Sequence, residues 1–218
     1  MFRLPPVYPI LDTASLERLD IDVCAAAEAL LLGGAEILQF RHKSFWSRET
    51  VEAAETVARL CADAGAAFVV NDRADYAALI AAGSPGAVGL HLGQEDLPPA
   101  DARLVTRESI FIGFSTHNSG QARAAGNEPA DYMAFGPVFG TRSKLRPDPE
   151  VGLAGLEAAR KLVSKPLVAI GGISRDNAQY CLDAGADSVA VIADLLPQPY
   201  TREALRDRMI EWRQRIRK

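Results

Sequence analysis

The sequence of 218 residues predicts a closed (β/α)8 barrel, a single-domain TIM barrel, on three observations. Short apolar runs alternate with alanine-rich stretches of helical spacing from one end to the other, the pattern of parallel strands joined by helices. The runs lack polar alternation, as strands buried on both faces do. Gly34-Ala35-Glu36, Gly65-Ala66-Ala67 and Gly185-Ala186-Asp187 each follow a helical run and precede a strand-like one. Glycine accepts the left-handed backbone that ends a helix, so each triplet reads as a helix stop that feeds the next strand. The rival architecture is an open doubly wound sheet. No GxGxxG follows the first strand, which weakens its dinucleotide-binding version.

In chain order the predicted strands are Val7–Asp12, Glu36–Arg41, Ala67–Asp72, Ala87–Gly93, Phe111–Thr116, Tyr132–Phe139, Leu167–Ile173 and Ser188–Leu195. The predicted helices are Val23–Leu32, Arg48–Ala64, Tyr76–Ala82, Pro99–Thr106, Gly120–Ala125, Leu153–Val163, Asp176–Ala184 and Arg202 to about Arg217. In the last of these Leu205, Met209, Trp212 and Ile216 recur at spacings of four, three and four, which is one helix face. No linker or low-complexity stretch interrupts the series, so residues 1–218 read as one domain.

Composition narrows the function. A hydrophobic fraction of 48% suits a sizeable core, and a net charge of −4 offers nothing to nucleic acid or an anionic membrane. Any anion site must be a local concentration of positive charge. The apolar runs are too short to span a bilayer, and the start MFRLPPVYPILD does not have the form of a signal peptide. Cys24, Cys61 and Cys181 lie among alanines and leucines with no CxxC, which reads as inert thiols in a reducing cytoplasm. Whether the chain forms a homo-oligomer is left open.

In such a barrel chemistry belongs at the C-terminal ends of the strands. The second strand ends in Gln39-Phe40-Arg41-His42-Lys43, where alternation sends Gln39, Arg41 and Lys43 to one side. Two cations and an amide there suit an anion; a surface salt bridge is the plain alternative. The next two strands end in Asn71-Asp72 and in His91-Leu92-Gly93-Gln94-Glu95-Asp96. Asp72 and Asp96 either hold Mg²⁺ beside a diphosphate or cap the following helix and turn. His91, within an apolar alternation, reads as a hydrogen-bonded structural histidine. Ser115 and Thr116 can donate to substrate oxygens, and His117 is either an acid–base group or a helix cap. Asp131–Lys144 is an apolar strand running into Gly140-Thr141-Arg142-Ser143-Lys144, a loop of N–H, O–H and cationic donors suited to phosphate. Gly171-Gly172 in the end of the seventh strand allow a phosphate monoester to approach backbone N–H groups closely, and the eighth strand runs into Asp194. Together these sites suggest the joining of two phosphorylated small molecules with loss of diphosphate.

From about Tyr8 to Leu195 these motifs, in this order and spacing, resemble the thiamine phosphate synthase family. That resemblance implies a transferase of thiamine biosynthesis that couples hydroxymethylpyrimidine diphosphate to thiazole phosphate by a dissociative route. It implies Gln39, Arg41, Lys43, Asn71, Thr141, Ser143 and Lys144 around the pyrimidine diphosphate, with Asp72 and Asp96 on Mg²⁺. Ser115 and Lys144 would be the catalytic side chains, and Gly172, Ile192 and Ala193 would receive the thiazole phosphate. The chain departs from the family pattern at His42, where glutamate is common, at Gly140 for proline, Ser143 for threonine and Ala193 for serine. Two further readings are a thiazole tautomerase that shuttles protons on His117 and a non-catalytic barrel that binds thiamine intermediates. An indole- or ribulose-phosphate type of barrel would share only the late glycines.

Overall fold

The computed structural model describes residues 4–140 and 148–216. Its strands are β1 (Val7–Asp12), β2 (Ile37–Arg41), β3 (Ala67–Asn71), β4 (Val88–Leu92), β5 (Phe111–Thr116), β6 (Tyr132–Phe135), β7 (Leu167–Ile170) and β8 (Ser188–Val191). All neighbours are parallel, and β8 pairs with β1 to close the barrel. The connecting helices are α1 (Thr13–Glu17), α2 (Val23–Leu32), α3 (Arg48–Asp63), α4 (Ala74–Gly83), α5 (Pro99–Thr106), α6 (Ser119–Ala125), α7 (Gly152–Leu162), α8 (Ala178–Asp183) and α9 (Arg202–Arg215). The expected barrel is thus the observed one.

The three glycine triplets do the same work three times. Gly34, Gly65 and Gly185 have φ of +90°, +69° and +99°. After each, the next N–H reaches back five residues, from Ala35 to the Leu30 carbonyl, Ala66 to Cys61 and Ala186 to Cys181. This is the Schellman closure, which satisfies carbonyls that the helix end leaves over. A second repeat staples this same N-terminal face of the barrel. Asp131 accepts from the Ile112 N–H and pairs with Arg103 of α5; Asp187 accepts from the Leu167 N–H and pairs with Arg160 of α7.

Two apolar layers result. Outward residues such as Phe40, Phe68 and Leu90 pack against the helices. Inside the barrel lie Tyr8, Ile10, Val69, Tyr132, Val168 and Ala190. Large interior rings need empty positions beside them. A Cβ on Gly89 would stand 2.2 Å from the Phe111 ring, and one on Gly113 would stand 2.0 Å from that of Tyr132.

Several boundaries differ from the sequence reading, with physical reasons. The unforeseen α1 is a five-residue turn that starts because the Asp12 carboxylate accepts from the Ser15 N–H. The sixth strand stops at Phe135, not Phe139, because Pro137 has no N–H for the ladder. The seventh stops at Ile170 because Gly171 and Gly172 turn to φ +98° and +62°. The eighth stops at Val191, and Ala193–Leu195 form a 3-10 turn.

Candidate active site

A cavity of about 580 Å³ opens at the C-terminal ends of the strands. It gathers most of the predicted side chains: Gln39, Arg41 and Lys43 from the end of β2, Asn71 and Asp72 from β3, and Ser115 from β5. Gly172, Ile192 and Ala193 line the opposite wall. Asp96 stands behind this lining, bonded through Oδ2 to the Gly93 N–H at 2.7 Å. Thr141, Ser143 and Lys144 lie outside the described residues.

The cations are already oriented by carboxylates. Arg41 donates to Asp12, its register partner on β1, which holds the guanidinium at the mouth. Lys43 donates to Asp72. The loop that carries Lys43 is pinned by Trp46, which is buried and stacks on Tyr76 at 4.5 Å with an interplanar angle of 10°. The His42 ring meets Thr13 Oγ1 at 2.8 Å and the Phe45 carbonyl at 3.1 Å, so it braces the loop.

Asp72 is not the helix cap its position in the sequence allowed. Arg73 occupies the N-cap of α4, and Asp72 has φ +66°, a left-handed conformation that aspartate tolerates better than most residues. Such backbone outliers cluster at functional sites. Burial, partly offset by Lys43 and reinforced by the neighbouring Asp96, pushes its carboxyl up to about 6. Asp96 does cap its turn, yet it remains close enough to Asp72 for its charge to be felt there.

Would a divalent cation fit? A carboxylate held above its ordinary range by burial, with a second carboxylate beside it, is an electrostatic deficit that a cation would fill. No cluster of three or more His, Cys, Asp or Glu residues converges among the described residues. Two carboxylates with the remaining positions left to water and phosphate suit Mg²⁺ better than an ion that needs a full protein cage. Asn71 adds an independent sign. Its side chain is 4% exposed, and Nδ2 has no hydrogen-bond partner among the described residues. A buried amide donor without an acceptor is costly, and here it lines the cavity beside Arg41 and Lys43.

The opposite wall is made of backbone. A Cβ on Gly172 would stand 2.4 Å from the Gly140 carbonyl oxygen, and one on Gly171 would stand 2.4 Å from the Pro137 ring. The glycine pair lets the segment after β6 lie across the end of β7, where the Val138 and Phe139 N–H groups donate to Ile170 and Gly171. Asp194 at this wall is paired with Arg175, which moderates its repulsion of an incoming anion.

His91 is the hydrogen-bonded histidine expected, with Nδ1 2.9 Å from the Tyr132 hydroxyl and Nε2 2.8 Å from Ser115 Oγ. His117 turns Nδ1 to the Gly136 carbonyl at 2.6 Å and Nε2 towards Asp148 at 3.6 Å. Asn118, not His117, caps α6. Sequence reading missed Asp12, Tyr8 and Tyr132. The two tyrosines sit in apolar runs and look like core, whereas an aspartate at the end of β1 carried a signal that could have been read.

Comparison with known proteins shows the family. The thiamine monophosphate synthase family model matches residues 7–195. The chain belongs to that family. The enzyme class follows: it is a transferase. Among its relatives, a thiamine-phosphate synthase of Koribacter versatilis is 47% identical, with 92% of this chain and 93% of that protein covered. One from Methanoculleus marisnigri is 42% identical over 93% and 94%. A solved thiamine phosphate pyrophosphorylase from Pyrococcus furiosus superposes with a TM-score of 0.79 at 32% identity, covering 96% of this chain and 94% of that one. Among the described residues no helix is long and apolar enough to cross a membrane.

Proposed function

We propose that this family member joins hydroxymethylpyrimidine diphosphate to thiazole phosphate, forming thiamine phosphate and releasing diphosphate. The observation that carries the reading is the meeting, at one wall, of the Asp72/Asp96 pair with the Asn71 amide, which has no partner among the described residues, beside Arg41 and Lys43. In this reading Asn71, Arg41 and Lys43, with Thr141, Ser143 and Lys144, receive the diphosphate. Gln39 lies alongside. Asp72 and Asp96 hold Mg²⁺, which when bound supplies positive charge to stabilise the departing diphosphate.

The C–O bond to diphosphate breaks first, leaving a pyrimidine-methyl cation that the thiazole nitrogen captures. Lys144 stabilises the leaving group and Ser115 holds the pyrimidine. The apolar floor of Ile10, Ile170 and Ile192 keeps water from the cation. Gly172 and the Ile192–Ala193 backbone receive the thiazole phosphate, which places its nitrogen across the cavity from the diphosphate. The three free cysteines suit a reducing cytoplasm as the compartment of this reaction.

Purified protein supplied with both substrates and Mg²⁺ should form thiamine phosphate and diphosphate in equal amounts. A chelator should stop both, and added Mg²⁺ should restore them. Folded protein that forms neither product would overturn the reading. The His117–Asp148 approach then favours a tautomerase, measured as proton exchange on the thiazole substrate.

A further inference from the structure

Five side chains cross the barrel interior in one unbroken hydrogen-bonded line. Gln39 Nε2 donates to the Tyr8 hydroxyl at 3.0 Å, which lies 2.8 Å from the Tyr132 hydroxyl. Tyr132 is 2.9 Å from His91 Nδ1, and His91 Nε2 is 2.8 Å from Ser115 Oγ. Both tyrosines are essentially inaccessible, at 1% and 0% exposure. Space for the second phenol is reserved, because a Cβ on Gly113 would meet its oxygen at 2.4 Å.

The order of protons along this line follows from counting donors. The Gln39 amide nitrogen can only donate, so Tyr8 accepts there and its own proton goes to the Tyr132 oxygen. The Tyr132 proton then has His91 Nδ1 as its acceptor. An imidazole that accepts at Nδ1 carries its proton on Nε2, which faces Ser115. Ser115 accepts from His91, and its hydroxyl proton is left for the cavity. Burial holds both phenols far above their ordinary range, so each keeps the one proton that the count requires.

We infer that Tyr8, Tyr132 and His91 are positioning residues that fix His91 as its Nε2–H tautomer and thereby present Ser115 as a hydrogen-bond donor to the substrate. The proton order rests on geometry alone; its effect on turnover rests on the proposed reaction.

The test begins with ¹⁵N imidazole spectra of the whole wild-type protein, the His91 signals being assigned by their loss in His91→Asn. A neutral ring protonated at Nε2 is expected at pH 8; a ring protonated at Nδ1 would overturn the inference. In Tyr132→Phe the fixed tautomer should give way to exchange between the two forms. Under the coupling assay its kcat should fall about tenfold with KM within about twofold, the effect of one lost hydrogen bond on orientation. Tyr8→Phe, one step further from the ring, should give the same change in smaller measure and serves if Tyr132→Phe does not fold. A folded variant with lower thermal stability but unaltered tautomer and kcat would reduce the line to a structural network and refute the inference. If the wild type does not catalyse the coupling at all, the ¹⁵N result still decides the proton order.

Discussion

The two walls of the cavity solve the same problem, holding a phosphorylated ligand, with opposite means. The wall from β1 to β4 uses side-chain charge: Arg41 on Asp12, Lys43 on Asp72, and Asp96 behind. The wall from β6 to β8 uses bare backbone, made accessible by Gly171 and Gly172. Charge in a half-buried place costs stability and is repaid when a ligand arrives. Backbone apposition belongs to the packing of the fold itself. Substitutions on the first wall should therefore damage turnover and spare the fold, whereas those on the second should do the reverse.

The largest effect is expected for Asp72→Ala. Turnover in the coupling assay should drop by about 10³-fold, as for other preorganised charge-stabilising groups, with no loss of thermal stability. A variant that kept near wild-type rates would remove the metal-and-diphosphate assignment of that wall. Gly172→Ala probes the other wall. A Cβ at φ +62°, 2.4 Å from a backbone oxygen, should cost about 2–3 kcal/mol in a denaturant melt and raise KM for thiazole phosphate more than it lowers kcat. Unchanged stability there would break the comparison.

A smaller, pH-dependent effect sharpens it. The Asp72 carboxyl titrates near 6 in the folded protein against an ordinary value of 3.8, chiefly through burial. A folded-state value above the unfolded one means that stability present below the unfolded value is lost as pH rises through the folded one. Asp72→Asn should therefore be more stable than wild type above pH 6, by about 2 kcal/mol, and this gain should fade as pH drops towards 4. Melting curves of the two proteins without added metal across that range measure it. The smallest effect concerns thiols remote from both walls. Burial pushes Cys61 and Cys181 up to about 12, so neither should be alkylated at pH 8 until the protein unfolds. Mass spectrometry after brief alkylator treatment reads this directly.

How much of this was legible beforehand differs between fold and site. The barrel was legible because strand and helix periodicity is local, and because the glycine triplets repeat the same helix stop. The site residues were legible as types at strand ends, since parallel strands in a barrel bring those ends to one mouth. Their partners were not. Asp12 and Arg41 lie 29 positions apart, as do Lys43 and Asp72, and only the register of neighbouring strands makes them pairs. Tyr8 and Tyr132 lie 124 positions apart, in runs whose apolar character conceals that their hydroxyls meet.

The sequence by itself determined that this chain closes into a parallel barrel and which residue types crown its strands, because periodicity and turn chemistry act over a few residues. Only the tertiary structure decided which carboxylate holds which cation, that Asp72 turns away from its helix, and that a buried line of hydroxyls ends at Ser115. Those outcomes depend on strand register and on the space that Gly113 leaves across the barrel, and neither is written within any one segment.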